Sequence, residues 1–319
     1  MFKIVITLFF TLFIWQNVEA SAIDTLLIFY KKSGQVVPTK DSADYFRFIL
    51  PPDTSVDKDE YRVDDFYMNG KKKMIGTSLT SGLKPAFDGI VVSYFPNGRR
   101  SSLTSFQNGH LNGTTTNYYP NSKIYNVINF SLDSYGNTVA EVKEWRDSTG
   151  TMLVVNGKGH VIIFNEDFTK VNQEGNIEKN KFEGEWQGLI ADTGRYVCFF
   201  HKGVLKSGTS YLKSGKQYNF KNFFVDAVFN DGFSETFYQY IQKNLRYPDA
   251  AKKRKIKGVV RVGFTIDATG MITNVKILSG LMPSLDEEAL RVIRSAPMWD
   301  PATQYGIPVS VTMSTGVYF

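Results

Sequence analysis

Gly258-Val-Val-Arg-Val-Gly-Phe-Thr-Ile266, the tetrad Asp267-Ala-Thr-Gly270 and the run Ile272-Thr-Asn-Val-Lys-Ile-Leu278 decide how the C-terminal part of this chain folds. Val260, Val262, Phe264 and Ile266 share one face at period two, opposite Val259, Arg261, Gly263 and Thr265, the alternation of a half-buried strand. The tetrad reads as a turn and Ile272 to Leu278 as the returning strand, so the stretch predicts a β-hairpin. Upstream, Ser234 can cap a helix with apolar positions at Phe237, Ile241 and Leu245. Tyr247-Pro248 stops it, because the residue before proline is pushed out of the α region. Downstream, Ser284-Leu-Asp-Glu287 reads as a capping box ahead of one apolar stripe, Leu285, Ala289, Val292, Ile293 and Ala296. Pro297 to Pro301 ends that helix, and Pro308 to Met313 with Gly316 to Phe319 form a last extended segment. Helix, hairpin, helix, strand is the order of a small α+β layer with one sheet face covered.

The same residues resemble a known family. Tyr247-Pro248-x-x-Ala251, the spaced run from Gly258 to Ile266, Asp267 with Gly270, Leu285-Asp286-x-x-Ala289, Pro297-x-Trp299-x-Pro301-Ala302 and Gly306-x-Pro-Val309 running to Phe319 are similar to the TonB C-terminal domain, over about residues 229–319. The resemblance implies a periplasmic module that grips a short extended segment, the TonB box, of an outer-membrane transporter. Pro248, Gly258, Gly270, Leu285, Asp286 and Pro301 are then its structural motif. The physics agrees: an unpaired sheet edge accepts an extended peptide as a further strand through main-chain hydrogen bonds. The expected edge is the last segment, with Val309, Val311, Met313, Val317 and Phe319 as partner-binding residues and Tyr247 and Trp299 as anchors. Both aromatics also read as ordinary core packing.

A different pattern fills residues 61–218. Phe66-Tyr-Met-Asn-Gly-Lys71, Tyr94-Phe-Pro-Asn-Gly-Arg99 and Tyr118-Tyr-Pro-Asn-Ser-Lys123 repeat one signature, and Phe106-Gln-Asn-Gly-His-Leu-Asn-Gly113 resembles Phe200-His-Lys-Gly-Val-Leu-Lys-Ser-Gly208. Asn-Gly between aromatic strands predicts hairpins on type I′ turns, whose two central residues need positive φ. Stacked hairpins of this kind bury one face against their neighbours. The units resemble MORN-type repeats, while the stretch from Gly136 to Gly175 departs from the pattern. The predicted fold class is therefore α+β overall, with a MORN-like β-hairpin array, a linker at 219–228 and the α+β domain at 229–319. Residues 21–60 hold one predicted strand, Phe46 to Leu50.

At the start, Lys3, an apolar run from Ile4 to Trp15 and the small-residue pattern Val18-Glu-Ala20 read as a secretory signal peptide over residues 1–20. As a helix that run rises about 18 Å, short of a ~30 Å hydrocarbon core. The competing expectation is an uncleaved short anchor. Either way the body is exported, to the periplasm or facing it from the inner membrane. An inner-membrane proton-channel motor is an expected partner only with the anchor retained.

In 319 residues, Lys+Arg 37 against Asp+Glu 31 leaves a charge of +6, too mild to demand a nucleic-acid partner. The basic run Lys252-Lys-Arg-Lys255 with Lys257 reads as a solvated loop. One cysteine, Cys198, and three histidines exclude an intrachain disulfide framework and leave little for a zinc cluster. No serine-nucleophile elbow, metalloprotease pair, P-loop or dinucleotide fingerprint occurs, so no catalytic residue, metal or cofactor is expected. The expected role is binding of outer-membrane transporters, or other envelope proteins, by strand addition in support of energy-coupled transport. The alternative is a soluble periplasmic interaction scaffold not coupled to the proton gradient.

Overall fold

The computed structural model describes residues 25–53, 55, 59–229 and 236–319. The expected leader and the Ser234 cap lie outside these residues. The chain divides into two compact units after Ala140.

In the first unit, Leu26–Tyr30 pairs antiparallel with Tyr45–Leu50, which pairs in turn with Tyr61–Tyr67. Lys72–Ser78, Phe87–Tyr94, Arg100–Gln107, His110–Tyr118 and Ile124–Leu132 follow, each on its predecessor. Hairpin stacking thus begins upstream of the first Asn-Gly signature. Its buried side is built from Ile28, Tyr30, Tyr45 and Ile49, then Val63, Met74 and Val91. Among these sits a buried ion pair: Arg47 Nε and Nη2 donate to the two Asp65 carboxylate oxygens at 2.6 and 2.9 Å.

The turns are of two kinds, and the prediction of type I′ holds for only one. At Asn69-Gly70, Asn97-Gly98 and Asn121-Ser122 only the second residue has positive φ, at 81°, 89° and 72°. The strand register shifts just before each. These are three-residue loops closed by a bulge. The asparagine is there for its side chain: Oδ1 accepts the backbone N–H of Lys71, Arg99 and Lys123 at 2.9 to 3.0 Å. The second signature makes true two-residue turns, with positive φ at both Asn108 and Gly109 and at both Lys202 and Gly203.

From the strand Thr138–Arg146, which carries the chain across the boundary after Ala140, the meander of the second unit runs through Met152–Val155, Lys158–Phe164, Val171–Glu178, Lys181–Ile190, Gly194–His201 and Val204–Leu212 to Gln217–Phe220. The departing stretch keeps to hairpins because other residues make its turns, Asp147 to Gly150 and Asn156-Gly157 among them. Trp186 faces Gly175 across the ladder, Tyr196 faces Gly188 and Phe220 faces Gly208. A Cβ on any of these glycines would fall within the opposing ring. Cys198 is buried in this row, and burial pushes its thiol up to about 11, so it stays protonated.

The C-terminal part of this unit has the predicted order. A helix, Phe237–Asn244, is followed by the short helix Asp249–Lys253, the strands Val259–Ile266 and Ile272–Ser279, the helix Pro283–Arg294 and the strand Val311–Tyr318. Val260, Val262, Phe264 and Ile266 are buried with Ile241, Leu285, Ala289, Val292, Ile293 and Val317. The capping box predicted at Ser284 does not form. The helix starts at Pro283, pre-shaped for the first position, and Met282 makes no side-chain cap. The first helix carries its own box instead: Thr236 Oγ1 accepts Gln239 N–H, and Gln239 Oε1 accepts Thr236 N–H.

One hairpin ties this module to the meander. Thr303–Gln304 and Ile307–Pro308 pair with each other, and the first also pairs with Phe224–Val225. At its tip, Tyr305 stacks on Tyr196 at 4.9 Å and 20°, with Phe220 and Phe223 edge-on. Tyr305 N–H donates to Phe223 O at 2.7 Å, and Tyr305 O accepts Ser210 Oγ at 2.7 Å.

Candidate functional site: an open strand edge

The three-stranded sheet has the order Ile272–Ser279, Val259–Ile266, Val311–Tyr318, so the last strand is an edge. Its pairing is unbroken from Val259 opposite Tyr318 to Ile266 opposite Val311. Gly258 and Phe319 exchange both backbone hydrogen bonds, at 3.1 and 2.9 Å. Because bonded and non-bonded pairs alternate in an antiparallel ladder, Val317, Thr315, Met313 and Val311 also spend their backbone groups on the central strand. The N–H and C=O of Thr312, Ser314, Gly316 and Tyr318 point the other way. Among the described residues no strand pairs with them.

The opposite edge is a poorer template. Ile272–Ser279 joins the central strand through two register shifts, and Asn274 has a φ of 52°. Bulges of this kind twist an edge away from regular pairing. The last strand has neither feature.

The expected site residues divide between edge and core. Val311, Met313 and Phe319 pack against the core, and Val317 is inside it. Their side chains line the helix side, while Thr312, Ser314 and Tyr318 are exposed. Val309 precedes the strand, and its N–H donates to Ala302 O at 2.8 Å. Trp299 is 6% exposed and packs edge-on with Phe229 and Phe237, so its place is the core. Tyr247 meets Phe319 edge-on at 5.8 Å, and its hydroxyl donates to Ile256 O. The outward set was within reach of sequence reasoning as the other parity of the last strand. Only the partner strand tells which parity is bonded.

The motif residues hold the sheet in shape. Pro248 stands at the start of the short helix. Gly270 has φ of 88° and lies against Trp299 O, where no Cβ fits. Leu285 is fully buried. Asp286 Oδ1 accepts Leu281 N–H at 2.9 Å, fixing the loop before its helix. Pro301 leads from Trp299–Asp300 into buried Ala302. Lys252, Lys253, Arg254, Lys255 and Lys257 are all exposed. No group of three or more His, Cys, Asp or Glu that could hold a metal occurs among the described residues.

Residues 243–319 match the family model described as Gram-negative bacterial TonB protein C-terminal. This segment is TonB-like. Over 95 residues the chain is 35% and 34% identical to Protein TonB of two Helicobacter pylori strains, J99 and 26695. The alignments cover 27% of this chain and 34% and 33% of those proteins, so the chain spans about a third of the curated relatives it matches. A solution structure of the Helicobacter pylori TonB C-terminal domain is 30% identical, covering 28% of this chain and 86% of that one, with a TM-score of 0.21. The TonB-like segment contains the whole of the open edge.

Proposed function

We propose that this protein is a TonB-like envelope protein that grips an extended segment of an outer-membrane transporter, the TonB box, as a fourth strand on Val311–Tyr318. The observation that carries the reading is the regular edge whose outward backbone groups at Thr312, Ser314, Gly316 and Tyr318 have no partner among the described residues, inside the segment that matches the TonB C-terminal family. Main-chain bonding supplies affinity with little demand on side-chain identity. It also explains how Val311, Met313, Val317 and Phe319 serve the site while facing the core: they hold the edge flat. Tyr247, packed on Phe319, supports the end of the same strand.

In this reading the domain at 229–319 works in the periplasm, and the hairpins at 61–218 are MORN-type repeats serving as a stiff spacer. Coupling to a proton-channel motor requires a retained N-terminal anchor. With the leader cleaved, the protein is an exported binding scaffold. No helix of the described residues is long and apolar enough to cross a membrane.

The test is calorimetric titration of the full chain with synthetic peptides from transporter plug segments. Ser314→Pro removes one outward N–H and no bond to the central strand, a substitution edge strands tolerate. Binding by the unaltered protein and at least a tenfold loss in the proline variant, with unchanged melting, are expected. No binding at high micromolar peptide, or equal binding by the variant, would sink the reading.

A further inference from the structure

A cavity of about 500 Å³ opens at the rim of the second unit's meander, where the Tyr305 hairpin meets it. This is within the roughly 300–1,000 Å³ span of small-ligand sites. Its aromatic wall is Tyr305 on Tyr196, held in place by the two backbone bonds of Tyr305. Tyr196 O–H donates to Gln173 Oε1 at 2.9 Å, which leaves the Gln173 amide N–H₂ as a donor at the cavity. Asn172 is the extra residue of a bulge: Ile163 faces Gln173 and Phe164 faces Val171, so Asn172 has no partner across the ladder. Bulges re-aim side chains in this way. Lys170 and Asp192 complete the rim, both exposed. The side chains of Lys170, Asn172 and Asp192 make no hydrogen bond or ion pair among the described residues.

We infer that this cavity binds a short neutral oligosaccharide. A pyranose presents an apolar C–H face, which suits a fixed aromatic ring. Its rim of hydroxyls donates and accepts in turn, which suits an ammonium, two amides and a carboxylate set side by side. A simple anion meets Asp192 and a simple cation meets Lys170, so a ligand of one charge sign is opposed. A purely apolar ligand leaves all of these polar groups without partners. The site is independent of the strand edge.

The test uses the full chain and two soluble probes, a chito-oligosaccharide with N-acetyl groups and a malto-oligosaccharide without them, titrated by calorimetry and by chemical-shift perturbation. Binding of either supports the site, and a preference between them tells whether amino-sugar or plain glucan glycans are its source. Asn172→Ala and Asp192→Ala, both at exposed positions, are each expected to weaken binding at least fivefold with melting unchanged. Tyr305→Leu keeps an apolar side chain and is expected to abolish it. Absence of binding of both probes at millimolar concentration overturns the inference, as does binding that none of the three substitutions alters.

Discussion

Gly175, Gly188 and Gly208 show what a single residue does in the hairpin array. Each leaves room for a ring from the facing strand, and the ring covers backbone that glycine would leave bare. Trp186 cannot step aside, because its indole N–H donates to Asn176 O at 2.8 Å and it is 2% exposed. Gly175→Ala is therefore expected to cost about 1–3 kcal/mol through overpacking. A lower urea midpoint followed by tryptophan fluorescence checks it, and an unchanged midpoint refutes it. Asp147 sets a pH dependence. A hydrogen bond from the Thr149 hydroxyl, helped by backbone N–H groups of Thr151, Thr149 and Gly150, holds its carboxyl at about 2. The folded value lies below the unfolded one near 3.8, so its contribution is complete above that value and is lost as pH falls toward 2. Melting temperatures measured from pH 5 to 2 are expected to fall less steeply for Asp147→Asn. Parallel curves would remove Asp147 from the account.

At the scale of elements, the errors of sequence reasoning have local causes. Asn-Gly marks a turn but not its type. The flanking register decides whether asparagine takes positive φ, as Asn108 does, or stays right-handed and caps with its side chain, as Asn69 does. At Ser284, a serine with a glutamate three residues on fits a capping box, yet the helix begins at Pro283. Pro283 was the competing signal, and the Ser284 hydroxyl is buried with no hydrogen-bond partner. The other cap was legible in Thr236-Phe-Tyr-Gln239. Thr236→Ala is expected to cost about 1 kcal/mol. Thermal unfolding of the full chain, compared with a Thr236→Ser variant that keeps the hydroxyl, measures it. Equal loss in both variants would mean that the hydroxyl is not the cause.

Across the second unit, the hairpin at Thr303 to Pro308 decides how the TonB-like module is held. Tyr305 is placed by three aromatic neighbours, Tyr196, Phe220 and Phe223, and by strands far away in sequence, and no local pattern announces it. Tyr305→Ser removes the ring while keeping both backbone bonds possible. Faster proteolytic cleavage between Phe220 and Phe229, with the module's own core intact, is the expected result. An unaltered digestion pattern would show that the ring does not hold the junction.

By itself the sequence determined the order of elements in the C-terminal module, its buried face at Val260, Val262, Phe264 and Ile266, and the presence of stacked hairpins. Those features follow from local periodicity and turn chemistry, which neighbouring residues carry. Only the tertiary structure decided which backbone groups of Val311–Tyr318 are open, that Trp299 belongs to the core, and that Tyr305 joins the module to the meander beside a cavity. Each of these depends on which distant strand is the partner and on which side it pairs. A period of two names the two faces of a strand, but leaves its two edges undistinguished.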